Sequence, residues 1–166
     1  LGVSYEGFLY AGLMIKNGEP YLIEYNVRMG DPECQTILPK LKNDLLDVLK
    51  SCIDKNLDSL NLDWSNDKSL CVVLCSKGYP DNFNNEIEIT NLEKLKINND
   101  NNEFIFHAGT KIIDNKIYSN GGRVLNFVKM SKNFKESREV IIQKINVLDW
   151  SNGFFRKDIG YKVIDQ

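Results

Sequence analysis

An Asn17-Gly18 pair between two runs of alternating apolar and polar residues constrains the fold of this chain more than any other feature. Asn-Gly suits the two central positions of a type I′ turn, both of which need φ above zero, and such a turn joins adjacent antiparallel strands. Residues 7–16 (GFLYAGLMIK) and 19–27 are therefore expected to form the two arms of a hairpin.

The second arm carries an unusual set of side chains. Residues two apart in a strand point the same way, so Glu24, Asn26 and Arg28 are expected on one face and Tyr21, Ile23, Tyr25 and Val27 on the other. Two readings fit. The polar face is the wet side of a half-buried hairpin, or it is turned towards something charged. A carboxylate and an amide oxygen side by side are hard ligands that suit Mg²⁺, and a guanidinium further along suits the phosphate such a metal bridges. Gly30 then breaks the strand. Asp31 is expected to cap a short helix with Pro32 at its first position, ended by Pro39. A second helix is expected from about Asn43, with Leu45, Leu46, Val48, Leu49, Cys52 and Ile53 as its apolar stripe.

Periodicity is lost over residues 61–68, which marks a domain boundary. Beyond it the chain turns β-rich. Residues 69–76 (SLCVVLCS) read as a buried strand, 79–85 as a loop and 97–102 (INNDNN) as a solvated polar loop. Further strands are expected at 103–107, 111–113 and 123–130. Asn133 with Glu136 resembles a capping box, opening a helix that buries Phe134, Ile141, Ile142, Ile145 and Leu148. The mixed tail, 153–164, reads as a docked strand. Hairpin, two helices, then several strands with one helix make an α+β arrangement in two units.

Lys and Arg total 21 against 23 Asp and Glu, a net charge of −2. That balance gives no basic surface for nucleic acid or an anionic membrane. No apolar run approaches the roughly 20 residues that span a bilayer. Cys34, Cys52, Cys71 and Cys75 have a single histidine, His107, for company, too few ligands for a zinc site. They are expected to be buried free thiols in a reducing cytoplasm. The chain begins at Leu1 without Met and enters a strand pattern almost at once, as a piece of a longer chain would.

Four strings, in order along the chain, carry a family resemblance. They are YEGFLYAGLMIKNGEPYLIEYNVRMGDPECQ at 5–35, FHAGT at 106–110, GGRVLNFV at 121–128 and FFRKDIGYK at 154–162. Together they resemble the phosphoribosylamine–glycine ligases, also called glycinamide ribonucleotide synthetases, of the ATP-grasp superfamily. The resemblance implies that 1–65 is the end of an ATP-grasp domain and 66–166 a β-rich carboxy-terminal domain. It implies ATP and Mg²⁺ or Mn²⁺ as cofactors, with glycine and 5-phosphoribosylamine as substrates. They are joined through glycyl phosphate in purine biosynthesis, with no nucleic acid or membrane partner, by a cytoplasmic enzyme expected to be monomeric.

By the same resemblance Glu24 and Asn26 are the metal ligands and Arg28 touches the transferred phosphate. Asp31 and Glu33 are candidates to support the metal ligands from behind, although a helix cap explains Asp31 equally well. Arg123, Arg156 and Asp158 are candidate substrate contacts, the last two with an ion pair as the competing reading. Gly121 and Gly122 either let backbone approach a ligand or form a turn. His107 is expected to be structural. The family's amino-terminal parts have no counterpart in these residues, so this segment alone is expected to be inactive and to leave one hairpin face exposed. The rivals are another ATP-grasp carboxylate–amine ligase, which FHAGT and FFRKDIG argue against, and a non-catalytic interaction fragment.

Overall fold

The computed structural model describes residues 2–96 and 101–164. Its chain divides into two units, Leu1–Ser65 and Asn66–Gln166.

In the first unit β1 (Tyr10–Lys16) pairs antiparallel with β2 (Glu19–Asn26). Asn17 and Gly18 take φ of 53° and 84°, the left-handed pair that a type I′ turn requires. Gly12 lies opposite Glu24 and Leu13 opposite Leu22, so Ile23 is an extra residue in β2. This bulge interrupts the alternation expected for 21, 23, 25 and 27. The first arm begins at Tyr10 rather than residue 7, and β2 ends at Asn26, two residues short of Arg28.

Helix α1 (Glu33–Ile37) departs from expectation at its start. Pro32 is itself the N-cap, at φ −101° and ψ 21°, and no side chain caps the helix. Asp31 instead accepts a hydrogen bond from Gln35 Nε2 at 2.7 Å. Pro39 falls in a 3₁₀ turn, Leu38–Lys40, that closes the segment. Helix α2 (Leu45–Ile53) starts where Asp44 accepts from the Leu46 amide at 2.8 Å. No residue from 2 to 69 is buried, so α2's apolar stripe and both hairpin faces lie at or near the surface.

The second unit has a true core. Strands β3 (Lys68–Ser76), β4 (Glu103–His107), β7 (Arg123–Ser131) and β8 (Gly153–Phe154) form an antiparallel sheet in the order β4-β7-β3-β8. The central β7 is buried at every position from Val124 to Ser131. Helix α3 (Phe134–Leu148) supplies Ile141, Ile145 and Leu148 to a core that holds Val72, Leu74, Leu125, Phe127 and Trp150. Asn133 caps it by accepting from the Glu136 amide at 2.8 Å. Phe134 and Ile142 are only half-buried.

A second hairpin joins β5 (Thr110–Ile113) to β6 (Lys116–Ser119) through Asp114 and Asn115, at φ 48° and 61°. The sequence reading anticipated only part of β5. The tail is not one docked strand: two residues pair with β3, and Tyr161–Ile164 form a helical turn, α4. Of the expected polar loop at 97–102, residues 97–100 lie outside the described residues. None of the four cysteines forms a disulfide; Cys71 and Cys75 are buried, while Cys34 and Cys52 are half-buried rather than buried as expected.

A candidate metal–phosphate strand

Alternation along β2 sets Glu24 and Asn26 side by side. Asn26 Nδ2 donates to Glu24 Oε1 at 2.8 Å, which fixes the amide so that its oxygen is free to act as a second acceptor. Glu24 Oε2 and Asn26 Oδ1 then make a pair of hard oxygens on one strand. That donor set fits a small divalent cation, which takes one or two protein oxygens and fills its shell with water and phosphate. Among the described residues no cluster of three or more His, Cys, Asp or Glu could hold a metal by itself.

Two residues beside this pair carry no charge and escaped the sequence reading. Tyr10 lies opposite Asn26 and Gly12 opposite Glu24. A Cβ added at Gly12 would stand 3.2 Å from Glu24 Cγ and 3.7 Å from Tyr10 Cε1. The available signal was a glycine inside a strand, which marks close approach of another group.

The remaining predicted residues are placed less uniformly. Arg28 lies beyond β2, so strand geometry no longer sets its direction, and its Nη1 reaches Met29 O at 3.5 Å. Glu33 folds over Gly30: a Cβ on Gly30 would meet Glu33 Oε2 at 2.0 Å. Arg123 opens β7, exposed and opposite Cys75.

Arg156 and Asp158 satisfy each other, with Nε to Oδ1 at 3.1 Å and Nη2 to Oδ2 at 2.7 Å. This exposed bidentate hydrogen-bonded pair holds the Asp158 carboxyl below its ordinary range and raises the Arg156 guanidinium. His107 Nδ1 sits 3.0 Å from Thr110 Oγ1, tying the end of β4 to the start of β5.

The glycines near β7 pack against protein. A Cβ on Gly109 would lie 2.7 Å from Arg123 O and 2.9 Å from Gly121 Cα, and one on Gly122 would lie 2.0 Å from the Tyr79 ring. Ser76 adds a hydrogen bond to Gly121 O at 2.9 Å. The double glycine is therefore a packed turn into β7.

Comparison with known proteins gives the family. Residues 69–162 match the family described as phosphoribosylglycinamide synthetase, C domain, and residues 1–34 match the ATP-grasp (A) domain of the same synthetase. A phosphoribosylamine–glycine ligase of Caldanaerobacter subterraneus is 40% identical over 159 residues, covering 96% of this chain and 37% of its own length. The ligase of Brucella melitensis is 38% identical over 166 residues, covering all of this chain and 38% of its own length. A crystal structure of the Thermotoga maritima ligase matches with a TM-score of 0.77 at 31% identity, over 96% of this chain and 38% of that one. The chain thus spans somewhat more than a third of the length of these relatives.

Proposed function

Because the chain belongs to the phosphoribosylglycinamide synthetase family, we propose that it provides the metal-holding strand and the carboxy-terminal part of an ATP-dependent phosphoribosylamine–glycine ligase. In that reaction a glycine carboxylate oxygen attacks the γ-phosphorus of ATP, and the bond to the β-phosphate oxygen breaks to release ADP. The amine of 5-phosphoribosylamine then attacks the carbonyl carbon of the glycyl phosphate. A C–N bond forms, the amine gives up a proton and phosphate leaves.

Each residue has a role set by its chemistry. Glu24 and Asn26 would hold Mg²⁺ or Mn²⁺ through their hard oxygens. A divalent ion so held would supply neutralisation of charge on the phosphoryl oxygens. Arg28 binds the transferred phosphoryl group, for which its planar fork of donors is suited. Asp31 and Glu33 are proposed to support the metal ligands, and Arg123 to contribute to substrate binding. Arg156 and Asp158 serve chiefly to fix the tail, since each already satisfies the other.

The exposed apolar residues of the hairpin, Leu13, Met14, Ile15 and Ile23 among them, face the rest of the ligase. No described helix is long and apolar enough to cross a membrane. The cytoplasm is the proposed compartment, in keeping with four cysteines that form no disulfide.

The 2.8 Å contact between Glu24 and Asn26, within the stretch matched to the ATP-grasp domain, carries this reading. The test is ADP release by the full-length protein with Mg²⁺-ATP, glycine and freshly generated phosphoribosylamine. Release should require both substrates and should fall by about a hundredfold or more in Glu24→Ala, on the scale seen when a stabiliser of transition-state charge is removed. Near-normal turnover by that variant overturns the assignment of Glu24.

A further inference from the structure

We infer that Gly12 is a positioning residue for the metal pair: its missing side chain is the space that lets the Glu24 stem lie flat against β1 and present its carboxylate beside Asn26. The inference rests on the proposed role of Glu24 and Asn26.

Three observations converge on it. Gly12 is directly opposite Glu24 in the register, and Tyr10 is directly opposite Asn26. Gly12 is not among the residues of positive φ, so the backbone there accommodates any L side chain, and conformational freedom does not explain the glycine. Space does. A Cβ at position 12 would be 3.2 Å from Glu24 Cγ and 3.6 Å from Glu24 O, closer to Cγ than carbon atoms pack comfortably. Tyr10 Cε1 lies 3.7 Å from the same point, an ordinary van der Waals contact, so the close approach is to the Glu24 stem.

The bulge immediately beside Gly12 completes the device. Ile23, the extra residue of β2, sits between Leu22 and Glu24 and adds local twist where the strand must turn Glu24 towards Asn26. Bulges of this kind re-aim the residue that follows them. The 2.8 Å contact from Asn26 Nδ2 to Glu24 Oε1 then locks the carboxylate in place. A side chain at position 12 pushes the Glu24 stem away from β1 and stretches that contact, so the carboxylate loses its place beside Asn26.

The experiment is Mn²⁺ titration of the full-length protein followed by electron paramagnetic resonance in the presence of ADP. It is paired with thermal unfolding of wild type, Gly12→Ala, Glu24→Ala and the double variant. Gly12→Ala should weaken Mn²⁺ binding about tenfold, and Glu24→Ala should abolish it at this site. In the Glu24→Ala background position 12 no longer meets a Cγ, so adding Gly12→Ala should leave the unfolding temperature unchanged. If Gly12→Ala alone fails to fold and the double variant folds, the contact is confirmed by that rescue. If Gly12→Ala binds Mn²⁺ like wild type while Glu24→Ala does not, the inference is overturned and the metal site stands. Failure of both Gly12→Ala forms to fold equally overturns it, because the obstacle is then something other than Glu24. Wild-type Mn²⁺ binding by Glu24→Ala overturns the metal-site reading itself.

Discussion

Replacing Glu103 by Gln tests what fastens α3 to the sheet. Glu103 stands on β4 opposite Lys129 of β7, with Lys144 of α3 above. Lys144 Nζ is 2.9 Å from Glu103 Oε2 and Lys129 Nζ is 3.8 Å from Oε1; the three side chains are 23%, 10% and 16% exposed, taking Lys144, Lys129 and Glu103 in turn. At an effective dielectric of about 20, Coulomb's law gives gross attractions of about 6 and 4 kcal/mol for those distances. Desolvation of three charges offsets most of this, so the intact cluster contributes little net stability.

The amide variant is a different matter. It removes the negative charge but leaves both ammonium groups half-dry, each still held by a carbonyl: Lys129 by Asn101 O at 2.5 Å and Lys144 by Lys96 O. Breaking a buried pair this way costs roughly 3–5 kcal/mol, and the remaining exposure here reduces that to about 2–4 kcal/mol. For a unit of this size the unfolding temperature should drop by roughly 10–20 °C. Trp150 is buried in the same core and reports the transition by fluorescence once Trp64, the other tryptophan, is changed to Phe. Lys144→Met should relieve part of the loss, giving a coupling energy of about 1–2 kcal/mol in a double-mutant cycle. A Glu103→Gln variant within about 0.5 kcal/mol of its parent, the range of an ordinary surface change, refutes the reasoning.

Leu148→Ala removes a side chain with no exposed surface from the end of α3 and should cost about 2–4 kcal/mol by urea unfolding, against near zero for the exposed Leu46→Ala. The Arg156–Asp158 pair lowers the Asp158 carboxyl from its ordinary 3.8, so the stability it lends is present above about pH 4 and is lost as pH falls through the lowered value. Asp158→Asn should therefore be less stable than wild type at neutral pH, and the two unfolding curves should merge in strong acid. Cys34 and Cys52 should react with a thiol reagent within minutes in the native protein while Cys71 and Cys75 stay protected until unfolding; four equal rates would contradict the burial of the β3 thiols.

What the sequence disclosed and what it hid follow from the range of the interactions involved. The first hairpin was legible because Asn17-Gly18 announces its turn by residue type. The second was not, because Asp114-Asn115 reaches the same left-handed pair without glycine. That Glu24 and Asn26 share a face was legible from a period of two. The end of β2 before Arg28 was not, since nothing in the alternation says where pairing stops. Asp31 followed by Pro32 reads as a cap and first turn, yet Pro32 itself takes the capping position and Asp31 turns to Gln35. In the tail, Phe154, Phe155, Tyr161 and Val163 suggest a strand by composition, but Gly160 at φ 83° turns the chain into α4. The close approach of Gly12 to Glu24 was hidden for a deeper reason: it depends on a cross-strand register shifted by a bulge, which no one-dimensional period encodes.

Two glycines in the same hairpin show how differently one residue type can serve a fold. Gly18 has φ of 84° and nothing within 4 Å of where a Cβ would be, so it answers a demand of the backbone alone. Gly12 has an ordinary backbone and a carbon at 3.2 Å, so it answers a demand of packing alone. The first fixes where the strands reverse and hence which residues face each other; the second decides how one of those facing residues may lie. No residue from 2 to 69 is buried within this segment, so residues 2–69 supply no core of their own beneath the Glu24–Asn26 pair. The turn, the register, the bulge and the hydrogen bond that surround the pair all lie within residues 10–26. The hairpin is thus shaped by local chain geometry, while β7 and α3 pack on buried apolar surface.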